Sequence, residues 1–167
     1  YGTSVEGIED RKYLWPGGSY CGSASTTPHP QGGMSEYRVV PDFMIRELPE
    51  NLATRDASLA EPLAVAPHAI EIAGGVAGQK VLVSGSGPIG LCLVAAAVAL
   101  DAAEVTATDM LDGPLERARA VGATGTIKVG VDQVPGLAFD VVFECSGAAP
   151  AVSTALAAVR RAGTVVQ

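Results

Sequence analysis

The chain is short of cysteine, of positive charge and of long apolar runs, and each shortage removes a class of protein. Three cysteines in 167 residues, Cys21, Cys92 and Cys145, are scattered and odd in number. They make no disulfide framework and fit a reducing, cytoplasmic setting. Lys and Arg together number 11 against 18 Asp and Glu, a net charge of −7. That sign is wrong for a surface that neutralises phosphates, so nucleic acid is not an expected partner. The longest apolar run, Ile89 to Leu100, has 12 residues, against the ~18 to 20 that cross a hydrocarbon core, so no membrane span is expected. Tyr1 to Asp10 has no basic start followed by an apolar stretch and does not read as a signal peptide. What is present is 48% hydrophobic content in a chain of single-domain length, enough for a packed core.

Composition shifts near residue 60. The first third is rich in Gly, Pro, Ser and Thr, with an irregular stretch from Pro16 to Gly33 and short strand-like runs at Tyr37 to Val40 and Met44 to Leu48. It is too weakly apolar to look complete alone. Thr54 to Gly75 reads as helix with a Gly74-Gly75 stop, tolerating Pro62 near its start and kinked at Pro67. Strands and helices then alternate. Strands are predicted at Lys80–Ser84, Glu104–Thr108, Thr126–Val129, Phe139–Cys145 and from Thr164, and helices at Ile89–Leu100, Leu115–Gly122 and Ala149–Arg161. Strands separated by helices of this length predict right-handed parallel crossovers in a doubly wound α/β Rossmann sheet. The final strand stops within a few residues of Gln167, so the sheet is expected to be incomplete and the chain to be a fragment.

Gly85-Ser86-Gly87-Pro88-Ile89-Gly90 fits G-x-G-x-x-G, with a strand directly before it and a helix directly after. The first glycine allows the tight turn, the second lets backbone approach a pyrophosphate, and the third allows close helix packing. The free N–H groups of Ile89 and Gly90 would face the phosphates. Glycines also close βα turns that bind nothing, so the second element matters: Asp109 ends the next strand, where a carboxylate accepts the ribose hydroxyls of an adenosine. An N-cap is its plain alternative. A carboxylate there repels a 2′-phosphate, and Met110 to Gly113 offer no cation, so NAD is favoured over NADP; Arg117 and Arg119 read as a solvated face. Cys145 and Ser146 end a strand on the ligand side of such a sheet, Cys145 as a pocket wall rather than a nucleophile. His68, in an apolar helix, reads as a core histidine, and His29 as a loop histidine in solvent.

Ala60-Glu61-Pro62-Leu63-Ala64-Val65-Ala66, His68-Ala69, Gly85 to Gly90, Asp109 and Glu144-Cys145-Ser146-Gly147 together resemble the zinc-dependent medium-chain alcohol and polyol dehydrogenases. The likeness spans the chain, and Gly22-Ser23-Ala24, Pro28-His29 and Gly32-Gly33 are its more selective part. It implies part of a GroES-like, β-rich catalytic domain over residues 1–58, an NAD-binding Rossmann domain over 59–167, and a catalytic zinc. The implied activity is oxidation of a secondary alcohol of a sugar acid or polyol; a catalytically silent nucleotide-binding fragment is the competing reading. Ser146 and Gly147 join the cofactor-binding residues. The Cys and His-Glu ligands of the catalytic zinc would lie before Tyr1, leaving Glu61 as the zinc-site and catalytic residue here. Its apolar neighbours predict burial, where a carboxylate needs a metal or its water as partner; an ordinary acidic residue before a proline turn is the plain alternative. The four cysteines that hold a structural zinc in relatives match Tyr1, Ser4, Gly7 and Trp15, so no structural zinc is expected and packing by Trp15 and Tyr1 would replace it. A homo-oligomer in the cytoplasm is expected.

Overall fold

A computed structural model describes residues 2–167; Tyr1 lies outside them. The chain divides into two compact units, Tyr1–Glu47 and Leu48–Gln167.

In the second unit, β1 (Lys80–Ser84), β2 (Glu104–Asp109), β3 (Gly125–Lys128), β4 (Phe139–Glu144) and β5 (Val159–Val166) form one parallel sheet in the order β3-β2-β1-β4-β5. The connecting helices are α3 (Pro88–Ala99), α4 (Asp112–Ala120) and α5 (Ala151–Ala158), with α1 (Thr54–Ala57) and α2 (Ala60–Ile72) preceding β1. β1 is an unbroken apolar run because it is covered twice. Val81 and Val83 join Val105, Ala107, Val141 and Phe143 beneath Ala66 and Ile70 of α2 and Leu93, Val94 and Ala97 of α3. Leu82 joins Phe139 and Val142 beneath Ala155 and Ala158 of α5 on the other face. Period-two alternation along β1 thus feeds two cores, the signature of a doubly wound sheet. Each Val, Leu, Ile or Phe among them contributes about 1.5 to 3 kcal/mol by leaving water.

The helices start and stop for local reasons. Gly87 caps α3 and Pro88 occupies its first position, where a missing N–H costs nothing. α2 ends as Gly74 and Gly75 turn left-handed, φ +87° and +96°, so that their N–H groups bond the carbonyls of Glu71 and Ile70 at 3.0 and 2.9 Å. α2 runs through Pro67 to Ile72, and the predicted 54–75 helix breaks instead at Ser58, whose hydroxyl donates to the Arg55 carbonyl at 2.6 Å. The carbonyl that Pro67 leaves without its helical donor belongs to exposed Leu63, within reach of solvent.

Two boundaries correct the sequence expectation. α4 begins at Asp112, three residues early, because Pro114 fits inside its first turn. β5 begins at Val159, taking Arg160 and Arg161 out of the predicted helix, because Val159 pairs with Phe139 and the Arg160 guanidinium bonds Asp140 at 2.5 Å. Among the described residues no helix is long and apolar enough to cross a membrane.

In the first unit no strand forms among the described residues; single 3-10 turns lie at Lys12–Leu14 and Asp42–Met44. The runs 37–40 and 44–48, predicted as strands, have no partner in the unit to complete a ladder, and one of them is partly a turn. Local bonds hold this unit: Thr3 N–H to the Pro16 carbonyl at 3.0 Å, and half-buried Trp15 Nε1–H to the Ile8 carbonyl at 3.0 Å. Trp15 closes the loop through this hydrogen bond, whereas packing was expected of it, and Tyr1, paired with it in that expectation, lies outside the described residues.

Candidate functional site

The strand order reverses at β1: the chain moves outward through β2 and β3, then returns to place β4 on β1's other side. A crevice opens at the carboxyl ends of strands at such a point, and it is where doubly wound folds take ligands. Here it is a cavity of about 570 Å³, and Gly85, Gly87, Asp109, Cys145 and Ser146 all line it. Residues far apart in sequence meet because each ends β1, β2 or β4.

The glycines have three different reasons. Gly85 stands at φ +93°, and a Cβ on it would lie 2.8 Å from the Ser146 Cα, so the loops after β1 and β4 touch through it. A Cβ on Gly90 would lie 1.9 Å from the Gly85 carbonyl oxygen, so α3 starts pressed against its own entry turn. A Cβ on Gly87 would meet nothing within 4 Å. That open space beside an exposed backbone is the cradle a pyrophosphate needs. Pro88 has no N–H, and the first bond into α3 is from Leu91 N–H to the Gly87 carbonyl, 2.9 Å. The N–H groups of Ile89 and Gly90 therefore precede the helical ladder. Ser86 sits elsewhere: fully buried, it donates its hydroxyl to the Thr108 carbonyl at 3.1 Å and fastens the loop to β2. Ser86, Pro88, Ile89, Gly90 and Gly147 do not line the cavity.

Asp109 is half-buried and already employed. Its Oδ2 accepts Ser86 N–H and its Oδ1 accepts Leu111 N–H, both at 3.0 Å. Each carboxylate oxygen keeps a further lone pair, so the residue can hold the glycine loop and accept hydroxyls together. Opposite it, buried Glu144 accepts Ser146 N–H at 2.8 Å and the Ser146 hydroxyl at 2.5 Å, while Ser146 Oγ accepts Ala148 N–H at 3.2 Å. This carboxylate shapes the 144–148 turn that carries Cys145 into the cavity wall. Burial first, and the Glu144 charge second, push the Cys145 thiol up to about 12, so it stays protonated at neutral pH. The apolar remainder of the lining, including Leu82, Val134 and Ala155, was not identified from sequence; Val134 lies in an irregular stretch without periodicity to mark it.

These residues fit a nicotinamide dinucleotide: an open glycine turn, a carboxylate with spare acceptor capacity and an apolar slot share one cavity, and the unladdered N–H groups of Ile89 and Gly90 follow that turn at the start of α3. Zinc does not fit in the same way. Among the described residues no three His, Cys, Asp or Glu side chains converge. Glu61, expected to be buried, is exposed on α2, as are its neighbours Leu59 and Leu63 at 59% and 42%. Burial failed as an expectation because an apolar helix buries only the stripe another layer covers, here Ala66 and Ile70. His68 is exposed on the same helix rather than in the core. His29 is exposed, as expected.

A glycine loop between β1 and α3, with an acid at the end of β2, defines the second unit as a dinucleotide-binding Rossmann fold. Comparison with known proteins places it more closely. The chain matches the family model described as "Zinc-binding dehydrogenase" over residues 88–167. It is 35% identical over 155 residues to the probable D-xylulose reductase A of Aspergillus fumigatus, covering 86% of this chain and 43% of that protein. The structure of L-idonate 5-dehydrogenase from Escherichia coli superposes with a TM-score of 0.93 at 31% identity, covering 100% of this chain and 50% of that one. Two other similar structures carry cofactors. A zinc-binding dehydrogenase of Sinorhizobium meliloti 1021 is bound to NADP (33% identity, TM-score 0.74, 82% of this chain and 43% of that one). An alcohol dehydrogenase of E. coli CFT073 is complexed with NADH (27% identity, TM-score 0.75, 82% and 43%). The chain thus spans about half the length of the proteins it matches or less.

Proposed function

We propose that the intact protein is an NAD-dependent dehydrogenase oxidising a secondary alcohol of a sugar acid or polyol, with L-idonate, at its 5-hydroxyl, as the preferred substrate. Residues 1–58 would belong to its GroES-like catalytic domain and 59–167 to its Rossmann domain. The observation that carries the reading is the single cavity shared by the Gly85–Gly87 turn, Asp109 and the Cys145–Ser146 turn. The bound nicotinamide supplies the hydride acceptor. This chain's residues bind and orient it: the Gly87 backbone and the N–H groups of Ile89 and Gly90 receive the pyrophosphate, and Asp109 accepts the ribose hydroxyls. Cys145, held neutral, and the apolar lining keep water from the pocket wall. No step is assigned to a metal, since the described residues supply no donor set for one.

The choice of L-idonate rests on the resemblance at Gly22 to Gly33 and on the likeness to the E. coli enzyme. The unpaired cysteines support a cytoplasmic location, and the resemblance a homo-oligomer. The test is kcat/KM with NAD across L-idonate, D-gluconate, sorbitol, xylitol and L-threonine. L-idonate should lead; a tenfold lead for a simple polyol or L-threonine, about 1.4 kcal/mol in transition-state binding, would overturn the substrate and leave the class standing. NAD binding without turnover of any of the five would favour the catalytically silent reading.

A further inference from the structure

Beyond the end of β2, the cation that the local sequence does not offer arrives from the neighbouring strand. Lys128, the last residue of β3, is the Cα register partner of Asp109. Adjacent parallel strands lie about 4.8 Å apart, so the lysine's backbone stands beside the carboxylate that would hold the ribose. The next residue, Val129, lines the cavity and donates its N–H to the Asp109 carbonyl at 2.9 Å. A free ammonium at this rim would suit a 2′-phosphate.

It is not free. Lys128 Nζ lies 2.7 Å from Oδ2 of Asp112, the first residue of α4. A second acid, Asp132, accepts the Lys128 backbone N–H at 2.9 Å. Of these acids, Asp112 is the one bonded to the ammonium, while Asp132 bonds the Lys128 backbone and Asp109 is its register partner. The Lys128 side chain is 34% exposed and that of Asp112 71%, so the pair is open to solvent, and only a carboxylate that stays in place keeps the ammonium turned away.

We propose that Asp112 is a specificity-determining residue for the cofactor, a latch that holds Lys128 away from the 2′ position. This rests on the dinucleotide reading given above and deepens it. In that account Asp109 repels a 2′-phosphate directly, and Asp112 removes the cation that would otherwise compensate. Two other cations lie near. The Arg119 guanidinium bonds Thr126 Oγ1 on β3. Arg117 folds back along α4, its Nη1 3.6 Å from where a Cβ on Gly113 would stand, and is the rival source of positive charge. The β3 register favours Lys128, because it alone of the three sits level with Asp109.

The experiment is calorimetric titration of NAD and NADP into the intact protein as wild type, Asp112→Asn, Asp112→Asn with Lys128→Met, and Asp112→Asn with Arg117→Ala. Asp112→Asn should tighten NADP about fivefold, the upper range for one exposed ion pair, with NAD changed less than twofold. Adding Lys128→Met should abolish that gain, and adding Arg117→Ala should leave it. An unchanged NADP affinity in Asp112→Asn overturns the latch, as does a gain that survives Lys128→Met or vanishes with Arg117→Ala. In each of those cases wild-type NAD binding still stands. Wild-type protein that binds neither dinucleotide overturns the underlying reading as well.

Discussion

The two units are built on opposite principles. Every buried hydrophobic residue of the described chain lies between Ala66 and Val159, in the second unit, whereas the described part of the first buries one residue, Ser23. The second unit is held by strand ladders and two apolar layers, the first by short turns and bonds such as Trp15 to Ile8. A site that must hold a ligand to within fractions of an ångström needs the first kind of support, and the cavity accordingly sits where three strands end.

The sharpest way to break this contrast is to remove core volume. Phe143, 1% exposed, packs between β1 and the helices above it, and Phe143→Ala should cost about 3 to 5 kcal/mol in denaturant unfolding. Leu14→Ala in the first unit, at a side chain 52% exposed, should stay within about 0.5 kcal/mol. Equal losses would mean that the units share one cooperative core.

A smaller effect separates a glycine that shapes the loop from Gly87, proposed to face the pyrophosphate. Gly90→Ala should destabilise by about 1 to 3 kcal/mol, because the new methyl meets the Gly85 carbonyl. Gly87→Ala should leave stability nearly unchanged yet weaken NAD binding, read by calorimetry. Asp109→Ala should narrow the gap between NAD and NADP by about 1 to 3 kcal/mol, the range for a lost charge-assisted hydrogen bond.

The thiols compare the units by reactivity. Cys21 is exposed, whereas Cys145 is partly covered and its pKa is pushed up to about 12. Maleimide at pH 7 should label Cys21 first and Cys145 slowly, more slowly still with NAD present. The raised thiol also fixes a sign. The folded state keeps this proton where the unfolded chain releases it near pH 9, so stability is full below that pH and declines as pH rises from about 9 towards 12. The smallest effect belongs to Glu61→Ala: at an exposed helix position it should change stability by no more than about 0.5 kcal/mol in thermal unfolding.

Legibility in the sequence followed the same division. β1, β2 and β4 stood out as short runs rich in β-branched and aromatic residues between turn residues, and Gly85–Gly90 and Asp109 followed from their places beside them. The α5–β5 boundary did not, because Arg160 and Arg161 suit a helix and only pairing with Asp140 and Phe139 makes them strand. Burial at Glu61 and His68 was misread because an apolar helix does not say which of its faces is covered. Lys128 lies 19 residues from Asp109 in sequence, and only the β2–β3 register makes them neighbours. The expected strands of the first unit failed for the same reason, since a strand is a property of two segments and a sequence window shows one.

As proposed, the cavity at the β1–β4 switch point is a dinucleotide site in which Asp109 selects the unphosphorylated ribose. Calorimetric titration of the wild-type intact protein with NAD and NADP tests it most directly. One site per chain is expected, with NAD bound at least tenfold tighter than NADP; NADP binding more tightly, or neither dinucleotide binding, would contradict that role for the cavity and for Asp109.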